Sequence, residues 1–335
     1  MNRLSNRGSA VERARDRTPA AWRVLVAGVG ALTLLGASAC GGSGAQEPAA
    51  PDAAEIRDYT NPDGTTVQIP VAPQRVITLG QATPSALELG IPLVGVSEAD
   101  TTLIAPDALT SYEELPKVGQ RTEINIEEIA TLAPDLIISG IPSKMEFDYT
   151  ALTEIAPVVV AEPGNPGEWR TTNETIADAA GVQDTVARMA QDYDARTAEL
   201  NETYGEKLEG VSAASIAAGF EKNQWQFDYQ DSWSTSVIQD AGLRFDQAAE
   251  DGGFFETLSF EELDRLDDYD LVVIPGDGTG EPTELIRPVL EQSVWQELEP
   301  VEAGRVYTVA WPEALTYTTA MLRLDALEKD LLSKL

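Results

Sequence analysis

The stretch Val118–Gly140 limits the possible folds more than any other part of this chain. Asn125, followed three residues later by Glu128, has the form of a capping box: a side-chain acceptor and a reaching carboxylate at a helix start. Ile126, Ile129 and Leu132 then recur at helical spacing, which gives a short helix one buried stripe. Pro134 stops that helix, and Leu136-Ile137-Ile138 follows as a continuous apolar run closed by Gly140. Such a run is the pattern of a strand covered on both faces in a parallel sheet. The same pattern returns far downstream, with Ser259 to Leu266 as the capped helix and Asp270 to Gly276 as the strand and its Gly stop. Solenoid repeats recur every 20 to 50 residues or so, much closer than these two copies. The chain is therefore expected to be α/β, with two Rossmann-like lobes and a ligand cleft between them.

A length of 335 residues leaves room for a core in each lobe. Residues 1–39 read as an export signal. Arg3, Arg7, Arg13, Arg15, Arg17 and Arg23 make a basic start, and Val24 to Leu35 form an apolar run shorter than the roughly 20 residues of a membrane span. Ala37-Ser38-Ala39-Cys40 resembles a bacterial lipobox, with Ala37 where Leu is usual, so Cys40 is the expected lipidation site. It is the sole cysteine, which excludes a disulfide framework; the alternative is an unmodified Cys beside an ordinary cleavage site. Residues 40–54, rich in Gly, Ala and Pro, read as a flexible tether holding the body off the membrane.

Net charge is −33, and removal of the signal, which carries +4, makes it −37. A surface this acidic repels nucleic acid and anionic lipid heads, and it keeps an exported protein in solution. There is no histidine. That excludes Ser-His-Asp and Cys-His catalysis and removes the commonest ligand for zinc, copper and haem iron, so no metal site of the protein's own is expected.

Residues 55–166 are expected to form the first lobe, opened by a hairpin around Asn61-Pro62-Asp63-Gly64 and continued by strands alternating with helices. Residues 167–209 follow a Pro/Gly break and read as one long helical region, interrupted near Gly181, that joins the lobes. Residues 210–335 form the second lobe. In it, Trp225, Phe227, Tyr229 and Trp233 read as an aromatic connection, Gly252 to Phe255 as a loop, and Val294-Trp295 with Ala303 to Val309 as the last strand. Thr318 to Leu335 is an amphipathic closing helix.

Several of these segments carry a family likeness. Pro73 to Ile77, Leu89 to Val96, the whole of Val118–Gly140 and Ala303 to Tyr307 resemble the iron-siderophore and vitamin B12 class of ABC-importer substrate-binding proteins, from about Tyr59 to the C-terminus. Within that class Val118 to Asn125 is similar to the hydroxamate-siderophore, ferrichrome-type binders. The resemblance implies two α/β lobes on one bridging helix, a lipid anchor, and a ferric siderophore as ligand, passed to a membrane permease with its ATPase. It further implies that Arg121 bonds the hydroxamate oxygens around the iron, that Trp311 lines the same pocket, and that Phe255 falls near another aromatic position. A pocket tyrosine of the family is replaced near Met145, and two permease-docking glutamates by Pro84 and Ser236, which leaves Glu88, Asp240 or other acids for docking.

Physical argument adds Gln81, Trp225, Tyr229 and Trp233 as ligand-contact candidates, because α/β ligands sit at the carboxyl ends of strands and aromatic walls suit a bulky chelate. Arg121 could instead pair with Glu123 or Glu127, and Trp225, Tyr229 and Trp233 could be core or lobe-closing residues. Trp295, Tyr193 and Tyr204 read as packing residues. The expected protein is a monomeric receptor that catalyses nothing, needs no cofactor because the chelator already satisfies its iron, and meets the membrane through its anchor only. Rival readings are a haem or cobalamin receptor of the same class, a secreted hydrolase using paired carboxylates, and a lipoprotein with no transport role.

Overall fold

The structure, a computed structural model, describes residues 55–120, 123–142, 145–162, 164–246, 253–310 and 313–335. The signal, Cys40 and the tether lie outside the described residues, as do Arg121 and Trp311.

β1 (Ile56–Thr60) and β2 (Thr66–Pro70) form the opening antiparallel hairpin. Strands and helices then alternate: β3 (Val76–Gly80), α1 (Ala82–Glu88), β4 (Leu93–Glu98), α2 (Leu109–Glu114), β5 (Lys117–Gln120), β6 (Glu123–Ile124), α3 (Ile126–Leu132), β7 (Leu136–Gly140), α4 (Thr150–Thr153) and β8 (Val158–Val160). The sheet order is β6-β5-β4-β3-β7-β8, parallel except for the short β6. Asn125 caps α3 by accepting from the Glu128 N–H at 3.1 Å. The helix closes on Ala133 in the left-handed region, one residue before Pro134. Every residue of β7 is buried, as a central parallel strand requires.

The connecting helical region is α5 (Trp169–Ala180) and α6 (Gln183–Leu208), broken at Gly181 with φ +73°. A Cβ on Gly181 would meet the Val71 carbonyl oxygen at 2.4 Å, so the break is fixed by close packing on the opening hairpin. The 26 residues of α6 span about 39 Å at 1.5 Å per residue.

The second half contains β9 (Ala213–Ala218), β10 (Gln224–Asp228), α7 (Ser236–Asp240), β11 (Phe255–Ser259), β12 (Leu271–Gly276), α8 (Arg287–Leu290), α9 (Ser293–Glu297), α10 (Glu299–Glu302), β13 (Val306–Ala310) and α11 (Tyr317–Asp330). Its sheet order is β11-β10-β9-β12-β13. The sequence repeat is also a repeat in space, since β7 lies parallel beside β3 and β12 parallel beside β9. Three details differ from expectation. Residues Phe260–Asp268 wind as a 3-10 helix kinked at Glu262, which accepts from Ser259 N–H and Oγ, each at 3.0 Å. The aromatic connection is the strand β10, antiparallel to β9 and β11, and Phe255 begins β11. Trp295 sits in helix α9, buried, where a strand was expected.

One hydrophobic cluster runs through both halves, joining Val76 and Ile138 of the first sheet, Val273 and Val309 of the second, and Leu324 of α11. Trp169, Tyr193 and Tyr317 meet edge-on at its centre, with ring centroids 5.0 to 6.0 Å apart. Polar links cross the same boundary. The Leu315 carbonyl accepts from Asn173 Nδ2 at 2.8 Å, and Glu88 of α1 accepts from the Tyr317 and Thr318 N–H groups at 3.0 and 2.6 Å. These are first-turn donors of α11 with no partner inside their own helix. Glu88→Ala is therefore expected to cost about 1–2 kcal/mol, read as a lower denaturation midpoint in urea, with Glu88→Gln recovering part of the loss.

Candidate functional site

Strands β4, β3 and β7 are adjacent and parallel, so their carboxyl ends open on one side. A cavity of about 220 Å³ lies there. Gly80, Gln81 and Pro84 line it after β3, Glu98, Ala99, Asp100 and Leu103 at and after β4, and Gly140, Ile141, Pro142 and Met145 at and after β7. Leu315, from the segment between β13 and α11, closes it from the other half of the molecule. This is the crevice outside the carboxyl ends of strands where open α/β sheets take ligands. Its volume is below the roughly 300–1,000 Å³ of pockets that enclose a small molecule, so a bulky ligand seated here extends past the rim.

The floor is built by close backbone approach. Gly80 has φ +60°, and a Cβ there would meet the Gly140 oxygen at 2.9 Å; a Cβ on Gly140 would meet the Ala82 nitrogen at 2.4 Å. Only glycine fits either place. Gln81 N–H donates to the Gly140 oxygen at 3.2 Å and Gly80 N–H to Ser97 Oγ at 2.8 Å, so the three strand ends are stitched together. Asp100 Oδ1 accepts from Thr102 N–H at 2.9 Å and Thr102 Oγ1 at 2.7 Å, which fixes its carboxylate at the rim.

In the second half, Asp228 and Arg323 are buried. Burial pushes the Asp228 carboxyl up to about 7, opposed by hydrogen bonds from Ser234 and Ser215 and by the Arg323 charge. Burial also lowers Arg323 to about 10, which leaves it charged at neutral pH, and it donates to the Ser234 carbonyl. Glu313 is raised by burial and by Asp100, with Arg323 pulling the other way.

The structure separates the expected contact residues. Gln81 lines the cavity. Arg121 and Trp311 lie outside the described residues; Gln120 and Ala310, which precede them, end β5 and β13. Trp225 is 0 % exposed, and its Nε1–H donates to the Ser259 carbonyl at 2.9 Å. In β10 it points to the opposite face from Asp228, into a cluster with Leu258, Leu263 and Trp295. Tyr229 packs in the same cluster, and its hydroxyl bonds Glu256 at 2.8 Å. Trp233, Phe254, Phe255 and Phe220 form an edge-to-face ladder with centroid spacings of 5.0, 5.1 and 5.9 Å, ending on Phe220, which is 79 % exposed. None of these aromatics is among the residues lining the cavity. Met145, where a tyrosine was expected, does line it.

Sequence reasoning passed over Glu98, Asp100 and Leu315. The signal for the first two was present: an acid ends the apolar strand, and Asp100 precedes two threonines in a capping pattern. Pro84 is buried and Ser236 only 6 % exposed, so neither position offers a docking side chain. Glu88 is engaged with α11, and Asp240 Oδ2 accepts from the Tyr193 hydroxyl at 2.7 Å.

Comparison with known proteins agrees with this architecture. The probable siderophore-binding lipoprotein YfiY of Bacillus subtilis (strain 168) is 26% identical over 314 residues, covering 89% of this chain and 94% of that protein. The iron(3+)-hydroxamate-binding protein FhuD of the same organism is 26% identical over 296 residues, covering 85% and 90%. Among solved structures, the siderophore periplasmic binding protein from the fuscachelin gene cluster of Thermobifida fusca superposes with a TM-score of 0.66 at 28% identity, over 78% of this chain and 98% of that one. The periplasmic binding protein family matches residues 80–311, which take in the cavity lining apart from Leu315, every strand of the two large sheets after β3 and the helices between them, and the chain belongs to that family.

Proposed function

We propose that the protein is an extracytoplasmic, lipid-anchored receptor that binds a ferric siderophore of the hydroxamate type and delivers it to an ABC importer. The observation that carries this reading is the cavity at the carboxyl ends of β4, β3 and β7, in a chain of the periplasmic binding protein family. The relatives point the same way, since one is a probable siderophore-binding lipoprotein and another an iron(3+)-hydroxamate-binding protein. A ferric hydroxamate brings its own six oxygen ligands, so it suits a chain without histidine. Arg121 offers a planar fork of donors to the partly negative hydroxamate oxygens at any working pH, and Trp311 a flat apolar wall to the chelate's rim. Gln81 adds one neutral polar contact at the cavity floor. Cys40 carries the lipid, and the chain binds without catalysing a reaction.

The test is a fluorescence titration of the mature protein with ferrioxamine, ferrichrome, ferric enterobactin, haemin and cobalamin. Saturable submicromolar quenching by a hydroxamate is expected, weakened at least about tenfold in Arg121→Ala, the loss of one charge-assisted contact. Tight binding of haemin or cobalamin alone would keep the fold and overturn the ligand.

A further inference from the structure

We propose that the cavity selects ferric chelates bearing a positively charged arm, and that Glu98 and Asp100 are the residues that read that charge. This rests on the hydroxamate reading above and names the class of chelate within it.

Among the described residues lining the cavity, the charged side chains are Glu98 and Asp100, both carboxylates. Both come from the end of β4 and the turn after it. Glu98 is the last residue of β4, paired in register with Gln120 at the end of β5. Asp100 follows two residues later, and its Oδ1 is held by Thr102 N–H and Thr102 Oγ1. A carboxylate fixed by its own turn is in place before the ligand arrives, so ordering it costs little on binding.

A further acid, outside the residues that line the cavity, lies on the other half within reach of the Asp100 charge. Glu313 lies in the segment that carries Leu315 into the cavity wall, and it senses the charge of Asp100. Its own counter-charge is Arg323, which also serves Asp228. Arg323 is 2 % exposed, bonds the Ser234 carbonyl and is not among the residues lining the cavity. Arg121 is assigned to the oxygens around the iron. Among the described residues, the lining of the cavity thus meets an incoming ligand with negative charge.

Apart from Gln81, the other side chains of the lining are apolar, among them Pro84, Leu103, Ile141, Pro142 and Met145. Ligand displaces water from such a surface, and the carboxylates then act through a medium of lower dielectric than water. An ammonium arm of a chelate is drawn in, whereas catecholate or citrate chelates that carry net negative charge are opposed. The charge on the whole mature chain has the same sign and adds steering at low salt.

The experiment compares ferrioxamine B, which ends in an ammonium group, with its N-acetyl derivative, which has the same iron shell and no such charge. Kd is measured for both at about 50 and about 500 mM salt. The expected result is binding of the ammonium form at least about fivefold tighter at low salt, a gap that narrows at high salt. In Asp100→Asn, which retains the oxygen that caps the turn, and in Glu98→Gln, the gap shrinks because the ammonium form weakens while the acetylated form does not. Equal affinities for the two chelates, or a gap that persists in both variants, would overturn the inference and leave the hydroxamate reading standing. Binding of neither chelate would overturn the hydroxamate reading itself, and this inference with it.

Discussion

Replacing Trp225 by alanine is expected to lower the unfolding free energy by about 3–5 kcal/mol while leaving the ligand affinity of the folded fraction unchanged. The residue is wholly buried, packs edge-on against Phe227 at 6.2 Å, and sits among Leu258, Leu263 and Trp295 beneath the 3-10 helix and α9. Truncation removes an indole from a close-packed cluster and leaves the Ser259 carbonyl without its 2.9 Å donor. Both effects act on stability. Neither touches the cavity, whose lining does not include Trp225. Urea denaturation and chelate titration of the same preparations separate the two quantities. If the denaturation midpoint holds and affinity falls, Trp225 is a ligand contact and the core assignment is lost. Trp225→Phe provides a milder version, expected to keep the fold and cost less.

That single residue shows where the sequence was legible and where it was not. The α3–β7 unit could be read in full, because Asn125, the helical stripe and the apolar run of β7 are local signals that agree with one another. The lobes could be read because the unit recurs. In the second half the aromatics at Trp225, Phe227 and Tyr229 alternate with period two, the mark of a strand, yet their chemistry suggests a ligand wall. Burial decides between those readings, and burial depends on β11 and on the helices α8 and α9, which are distant in sequence. The same limit applies to Glu88. As a lone acid in an acidic chain it is indistinguishable from a docking residue until α11 arrives with two unpaired N–H groups. Gln81 could be placed because the strand-end rule is a statement about topology, and the parallel order of β4, β3 and β7 follows from alternation of strands and helices. The acids beside it follow from the same rule applied to β4.

Stability is expected to fall as pH rises from about 5 to about 8, and Asp228→Asn is expected to remove much of that slope. Asp228 ionises near the ordinary aspartate value of 3.8 when unfolded, but burial holds it up to about 7 in the folded protein. Between those values the folded chain binds the proton and the unfolded chain does not, so the derivative of unfolding free energy with pH is negative. The stabilisation is complete below the unfolded value and is lost as pH climbs through the folded one. A shift of this size amounts to as much as about 4 kcal/mol at pH 8. Glu313 and Asp240, also raised by burial, add to the slope in the same direction and remain in the variant. Asp270 and Asp277, lowered by hydrogen bonds from Ser212 and Thr279, act with the opposite sign, but their contribution is already nearly complete above about pH 5. Urea unfolding at pH 5 and pH 8 isolates the Asp228 effect as the change in the variant-minus-wild-type difference, expected to favour the variant by about 2–4 kcal/mol at the higher pH. The absolute difference at either pH also contains the loss of a neighbour for Arg323, which cancels from the comparison so long as Arg323 stays charged across this range. Parallel stability curves for the two proteins would show that Asp228 is ionised throughout, held as the partner of Arg323. The buried pair would then be a fixed ion pair between β10 and α11, with no proton taken up on folding.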